Sequence, residues 1–109
     1  ISEDTAAKIK AMLVYTIESG EGKRGSVEGH YVAGKTGTAQ TYKNGRALFG
    51  KGTTIGSFVG YAPIDDPQFV VIVKYDRPKT SEWGSSTAAL TFSKIGEYMF
   101  DYYNIPPDK

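Results

Sequence analysis

The stretch Val32-Ala33-Gly34-Lys35-Thr36-Gly37-Thr38-Ala39-Gln40 decides how the rest of this chain is interpreted. It places one cation, two hydroxyl groups and two glycines between residues that favour an extended backbone, so it predicts a β-strand with a polar role. Because successive side chains of a strand alternate, Thr36 and Thr38 are expected on one face and Lys35 on the other. At a sheet edge the outward backbone groups would be free, and Gly37 would remove a Cβ that holds a ligand away. The stretch therefore predicts an anion-receiving strand edge.

Length and composition limit the possible functions. The chain has 109 residues, which suffice for one small domain or part of a larger one. Thirteen Lys and Arg against twelve Asp and Glu leave a net charge of +1, which gives no signal for nucleic acid. The absence of cysteine excludes a disulfide framework and a thiolate metal site. No apolar run or basic leader predicts a membrane span, and a start without Met suggests an excised or cleaved piece.

Two segments have the three- and four-residue spacing of apolar side chains that is typical of amphipathic helices. The first follows an expected N-cap at Ser2 and ends at Gly20. Its predicted buried stripe consists of Ala6, Ile9, Leu13 and Ile17. The second begins near Ser85 or Ser86 and stops before Pro106. Its predicted stripe consists of Ala88, Phe92, Ile95, Met99 and Tyr102.

Three segments predict strands that turns join into an antiparallel meander. They are residues 32–40, 54–62 and 69–75. Asn44-Gly45 is a strong turn signal within the first connection, and a turn bracketed by Pro63 and Pro67 forms the second. The unbroken apolar run Phe69–Val73 is typical of a central strand covered on both faces. The predicted fold class is therefore α+β, with an N-terminal and a C-terminal helix packing on the sheet.

Three other features have ordinary structural interpretations. Residues 20–25, GEGKRG, satisfy the dinucleotide pattern GxGxxG, but a helix precedes them where a strand is needed, so a flexible cationic connection is expected. His30 has no second histidine or cysteine for a metal site and is expected at the surface or at a strand start. Trp83 lies in a predicted loop; a tryptophan that covers core is the commoner case there, and one that lines a site is the alternative.

The run VAGKTGTAQ, followed by GSFVGYAP and FVVIVKY, resembles the C-terminal part of the transpeptidase domain of penicillin-binding proteins, most closely the class B type. The resemblance extends from the first helix to Ile105-Pro106-Pro107, so residues 1–109 are expected to be one portion of that domain. It implies a five-stranded antiparallel sheet of the transpeptidase and β-lactamase type, with three strands present here. It also implies a serine D,D-transpeptidase that cross-links peptidoglycan stem peptides, is acylated by β-lactams and needs no cofactor or metal. The parent would be anchored in the bacterial cytoplasmic membrane and act outside it.

The resemblance also implies roles for four residues, because Lys35-Thr36-Gly37 matches the third motif of the family. Lys35 would raise the positive potential and touch a serine of the second motif. The hydroxyls of Thr36 and Thr38 would bind the carboxylate of a β-lactam or of the D-Ala-D-Ala terminus. The N–H of Thr38 would be one of two oxyanion donors. Gly37 is the position least expected to tolerate a side chain.

The other two motifs of the family are absent from these residues. No serine has a lysine three positions later, and neither Asn44 nor Asn104 has a serine two positions earlier. Ser2-Glu3-Asp4 fits the variant SxD but is expected to cap the first helix. We therefore expect the nucleophile in a preceding segment or another chain, and expect this chain alone to be inactive.

Two alternatives remain open. A D,D-carboxypeptidase or a serine β-lactamase has the same Lys-Thr-Gly strand, although the match through GSFVGYAP and the terminal IPP favours a transpeptidase. A non-catalytic interaction module that kept the fold and lost the serine is the other.

Overall fold

A three-stranded antiparallel sheet and two helices that pack on it form the fold, and the computed structural model describes all residues from 1 to 109. In chain order the elements are α1 (Glu3–Glu18), β1 (Ala33–Gln40), β2 (Tyr42–Lys43), β3 (Arg46–Ala47), β4 (Thr54–Ala62), β5 (Phe69–Asp76) and α2 (Ala88–Tyr102). Short 3-10 turns lie at Lys23–Gly25 and Gly84–Ser86. The predicted α+β class and the order of helices and long strands are confirmed.

The sheet has the order β1-β4-β5, so β4 is central and β1 lies at an edge as predicted. The prediction that Phe69–Val73 is a central strand covered on both faces is wrong for these residues. β5 pairs only with β4, and its side chains alternate between half-buried and exposed. Val71 and Val73 pack against the core, whereas Val70 and Ile72 are 69% and 72% exposed. The reason is that β5 has one strand neighbour, and the helix that packs on it, α2, covers a single face.

α1 begins where the sequence predicts, because the Ser2 Oγ accepts a hydrogen bond of 3.1 Å from the Thr5 N–H. Its predicted buried stripe is correct only at the C-terminal end. Ile17 is fully buried and Leu13 is half-buried, while Ala6 and Ile9 are exposed. Only the end of the helix reaches the sheet, so amphipathic spacing identified the helix but not how much of it is covered.

The contact that fixes α1 to the sheet involves the edge strand. The Thr16 Oγ1 hydroxyl donates to the Gly34 carbonyl at 2.5 Å. Residues 20–25 lead from α1 into a 3-10 turn. A dinucleotide site requires a strand before this segment, and a helix stands there instead. Neither helix is long and apolar enough to cross a bilayer.

α2 packs on β4 and β5, and its contact surface is rotated from the predicted stripe. Phe92 and Phe100 are buried, but Tyr102 is 65% exposed. The Phe92 and Phe58 rings meet at 4.6 Å between centroids, and both are fully buried. The Phe58 ring occupies the space that a side chain at Gly34 would need, and the Phe92 ring does the same at Gly60. Two glycines in the sheet thus allow two aromatic rings to form the core.

The last residues of the chain fasten the segment that enters β1. The Asp108 Oδ1 accepts a 2.8 Å hydrogen bond from the Tyr31 N–H, and the Lys109 ammonium pairs with Glu18 at 2.7 Å. His30 is buried in this segment and stacks on Phe100 at 3.6 Å, so a surface position is wrong for it. The start of β1 is therefore held by contacts from the ends of α1 and of the chain.

Phe58→Ala tests the aromatic core. It should lower the free energy of unfolding by about 3–5 kcal/mol, because it removes a fully buried ring and leaves a cavity beneath β1. Urea-induced unfolding followed by circular dichroism measures the change. Phe49→Ala is the matched control: this ring is 75% exposed, and its loss should cost about 0.5 kcal/mol or less. Equal losses for both variants would contradict the assigned core.

Candidate functional site

A cavity of about 430 Å³ lies beside β1, and three of the four predicted site residues line it. Its lining consists of Glu21, Lys35, Thr36, Thr38, Trp83 and Ser85. β1, the connection after α1 and the segment before α2 all contribute to it. A larger groove of about 920 Å³ lies between α1 and the β4–β5 turn, but it has an apolar lining and its cation, Lys10, is already paired with Asp65 at 3.2 Å. The smaller cavity is the one that contains an ammonium group outside any ion pair together with hydroxyl groups.

The edge of β1 that faces away from β4 has backbone groups without a strand partner. The carbonyls of Gly34 and Thr36 accept bonds from the side chains of Thr16 and Lys35, so both carbonyls are directed away from the β4 ladder. In an antiparallel pair, residues two apart direct their backbone groups to the same side. The N–H of Thr38 is therefore directed to the open edge as well, and its role as a backbone donor stays a prediction.

Lys35 does not keep its ammonium on the face opposite the threonines. Its Nζ donates to the Thr36 carbonyl at 3.1 Å and lies 3.2 Å from the Thr36 Oγ1. The alternation of Cβ atoms does not determine where a long side chain ends, and an edge without a strand neighbour leaves room for it to bend around. One ammonium and one hydroxyl therefore meet in the same cavity.

Thr38 is positioned by a residue that the sequence did not indicate. The Gly84 N–H donates to the Thr38 Oγ1 at 3.0 Å. Because a hydroxyl both accepts and donates, this bond leaves its hydrogen free to donate into the cavity. A Cβ on Gly84 would collide with the Gly37 carbonyl and would lie 2.8 Å from the Ser57 carbonyl, so only glycine allows this close approach. In the sequence, the only sign of this role is that Gly84 is a glycine shortly before α2.

Gly37 itself does not line the cavity. A Cβ added at Gly37 would lie 2.5 Å from the Ser57 Oγ and would contact no other residue as closely. The nearest protein neighbour of the missing side chain is thus a hydroxyl of β4, and the expected clearance for a ligand at Gly37 stays a prediction. A larger residue at position 37 would displace the Ser57 hydroxyl from its present place.

Trp83 lines the cavity and is 56% exposed, so the interpretation that it covers core is wrong. Glu21 comes from the segment interpreted as a flexible connection, and no sequence pattern singled it out. None of the four ion pairs in the structure involves Glu21 or Lys35. The cavity therefore contains one cation and one anion that are not paired with each other.

Comparisons with known proteins place this geometry in context. Residues 1–97 match the family model described as penicillin binding protein transpeptidase domain. The whole chain is 46% identical to Stage V sporulation protein D of Bacillus subtilis and covers 17% of it. Over 98% of the chain it is 35% identical to the probable peptidoglycan D,D-transpeptidase PenA of Neisseria meningitidis, of which it covers 18%.

The fold agrees with a solved structure as well. The transpeptidase domain of Burkholderia pseudomallei penicillin-binding protein 3 superposes with a TM-score of 0.89 at 31% identity. The match covers all of this chain and 33% of that one. The chain thus spans under a fifth of the two curated relatives and a third of the solved chain.

Gly84→Ala tests the contact that positions Thr38. The added methyl group should push the segment before α2 off β1 and break the bond to the Thr38 hydroxyl. Loss of one such bond should speed backbone hydrogen exchange in residues 77–87 by about two- to tenfold, as measured by mass spectrometry. Ser86→Ala is the control, since its hydroxyl makes no hydrogen bond. Unchanged exchange in Gly84→Ala would contradict the assigned contact.

Proposed function

The chain belongs to the penicillin-binding protein transpeptidase family, and from this premise we propose that residues 1–109 form the substrate-facing wall of a serine D,D-transpeptidase. The enzyme would cross-link peptidoglycan stem peptides and would be acylated by β-lactams. The observation that supports this function best is the meeting of one ammonium and two hydroxyls beside an open strand edge. In this proposal the chain is the C-terminal portion of the domain.

The proposed ligand group at Lys35, Thr36 and Thr38 is a carboxylate. An ammonium and two hydroxyls give charge-assisted hydrogen bonds to a carboxylate, which are stronger than bonds between neutral groups. The carboxyl terminus of a D-Ala-D-Ala peptide and the carboxylate of a β-lactam both offer this group. An extended peptide can also add to the open edge of β1 as a further strand beside Thr38, whose outward backbone groups carry no side-chain bond.

The proposed catalytic contribution of the chain is an oxyanion donor. As the serine attacks the peptide carbonyl, negative charge develops on the carbonyl oxygen, and the outward N–H of Thr38 would stabilise it. The Gly84 contact holds this residue, so the donor is in place before the reaction. Lys35 would assist proton transfer through the serine of the second motif, which does not lie in residues 1–109.

The nucleophile must come from outside these residues, because no serine here has the required lysine three positions later. We propose that the rest of the transpeptidase domain supplies it, in the same polypeptide or as another chain. No metal or cofactor takes part in this acyl transfer. The proposed location is outside the bacterial cytoplasmic membrane, with the parent protein anchored in that membrane.

Lys35→Ala tests the carboxylate site. In the protein that contains this chain together with the serine, acylation by a fluorescent penicillin should slow by about 10- to 100-fold, because a charged hydrogen-bond donor is lost. Gly37→Val should act in the same direction, because its side chain would displace the Ser57 hydroxyl and crowd the strand between Lys35 and Thr38. Lys43→Ala is the control, since this exposed lysine lies in β2 outside the cavity. Residues 1–109 alone should remain unlabelled, and normal acylation of Lys35→Ala would refute the site.

Product analysis tests the reaction type. With a D-Ala-D-Ala donor peptide and an amine acceptor, the complete protein should form a cross-linked product, since the relatives that resemble this chain include named D,D-transpeptidases. Mass spectrometry separates this product from the hydrolysed donor. Hydrolysis without any cross-linked product would favour a carboxypeptidase or a β-lactamase.

A further inference from the structure

The connection between β3 and β4, residues 48–53, is fastened to the segment before α2, residues 77–87. The Gly50 N–H donates to the Glu82 Oε2 at 3.1 Å. A backbone hydrogen bond of 3.0 Å also joins the two ranges. Both ranges lie outside the strands and the α-helices, so these bonds hold them together in place of a regular ladder.

Glu82 is bonded through both its side chain and its backbone. Its carbonyl accepts a 2.7 Å bond from the hydroxyl of Thr54, the buried first residue of β4. Its carboxylate belongs to none of the ion pairs in the structure, and the Gly50 N–H is its one hydrogen-bond donor within the protein. Because a charged acceptor makes a bond roughly twice as strong as a neutral one, this contact is a substantial part of the fastening. Glu82 thus ties residues 48–53 and the start of β4 to one point of the segment.

The point that Glu82 fixes is close along the chain to the contact that holds the site. Two residues later, the Gly84 N–H donates to the Thr38 Oγ1 at 3.0 Å. Trp83 lies between these two anchors and lines the cavity. Two residues of extended chain span at most about 7 Å, so a displacement of Glu82 is passed on to Gly84.

We propose that Glu82 is a positioning residue for acylation, which acts through Gly84 on Thr38. Its carboxylate holds residues 48–53 against the segment before α2, and Gly84 in turn keeps Thr38 where its outward N–H meets the developing oxyanion. This inference rests on the proposed transpeptidase function. Glu82 touches no reacting group, so its effect lies in the rate of the acylation step and not in the capture of a carboxylate by Lys35.

The kinetic test separates binding from reaction. In the complete protein, time courses of acylation by a fluorescent penicillin give the acylation rate constant and the dissociation constant of the complex that precedes it. Glu82→Ala should lower the rate constant by about 5- to 20-fold and change the dissociation constant by less than about twofold, because a small displacement of a catalytic group slows the chemical step. Glu82→Gln keeps an acceptor oxygen on a side chain of the same length and should lower the rate constant by only about two- to threefold. Glu97→Ala is the control, since this exposed glutamate of α2 forms no ion pair, and it should match the wild type.

Thr54→Val tests the same path from the backbone side. It removes the hydroxyl that bonds to the Glu82 carbonyl and keeps the shape of the side chain, so it should also slow acylation. Because both substitutions act through residues 82–84, the double variant should lose less than the product of the two single losses. Losses that simply multiply would contradict the shared path.

Hydrogen exchange measured by mass spectrometry separates local displacement from general unfolding. Glu82→Ala should speed exchange in residues 48–53 by about two- to tenfold, as loss of one hydrogen bond does, and should leave residues 92–100 of α2 at the wild-type rate. Faster exchange in both ranges, or slower acylation with unchanged exchange in residues 48–53, would contradict a positioning role.

The two proposals of function fail in different ways. If Glu82→Ala is acylated at the wild-type rate, the positioning role is refuted, while penicillin acylation of the wild-type protein still supports the transpeptidase function. If the wild-type protein is acylated by no penicillin, the transpeptidase proposal fails and the role of Glu82 fails with it.

Discussion

The pairing of β1 with β4 leaves the other side of β1 without a strand neighbour, and side chains take the place of that neighbour. Thr16 satisfies the Gly34 carbonyl, which fixes α1, and Lys35 satisfies the Thr36 carbonyl, which brings its ammonium to the threonines. Carbonyls without a strand partner bond to side chains or water instead, and side chains fill this role at both positions. The contact between α1 and the sheet and the position of the Lys35 ammonium thus have the same cause: the missing strand neighbour of β1.

The site is held from its second side by close backbone contact. Gly84 lies directly on the Gly37 and Ser57 backbones, and its N–H reaches the Thr38 hydroxyl. Beneath the strand, the Phe58 ring fills the space left by Gly34. Because backbone and aromatic core confine β1 in this way, its polar groups are arranged before any ligand binds. Such preorganisation is what electrostatic stabilisation of a developing charge requires.

Much of the fold was predictable from the sequence, because local patterns determine local structure. Alternation, turn residues and helical spacing gave the three strands, the Asn44-Gly45 hairpin and both helices, and the resemblance to penicillin-binding proteins of class B is confirmed. What failed depends on contacts between distant residues. Composition alone could not indicate that β5 has only one neighbour, and Cβ alternation could not locate the Lys35 ammonium. The carboxylate-binding roles stay predictions, supported by the cavity.

The residues missed by sequence reasoning share a physical reason. Glu21 and Ser85 reach the cavity, and Gly84 reaches Thr38, from segments that lack regular periodicity, so no pattern links them to β1. Only the folded chain brings them together. By contrast, Lys35, Thr36 and Thr38 are adjacent in sequence, and a short strand suffices to assemble them.

The exposed apolar side chains of β5 affect how residues 1–109 behave in solution. Val70 and Ile72 project from a strand whose outer backbone groups have no partner strand. Flat apolar strands of this kind invite another strand to add to them, whether from a neighbouring copy or from a growing aggregate. The β5 edge, on the other side of the sheet from β1, is thus where the exposed side chains of Val70 and Ile72 favour association between copies of residues 1–109.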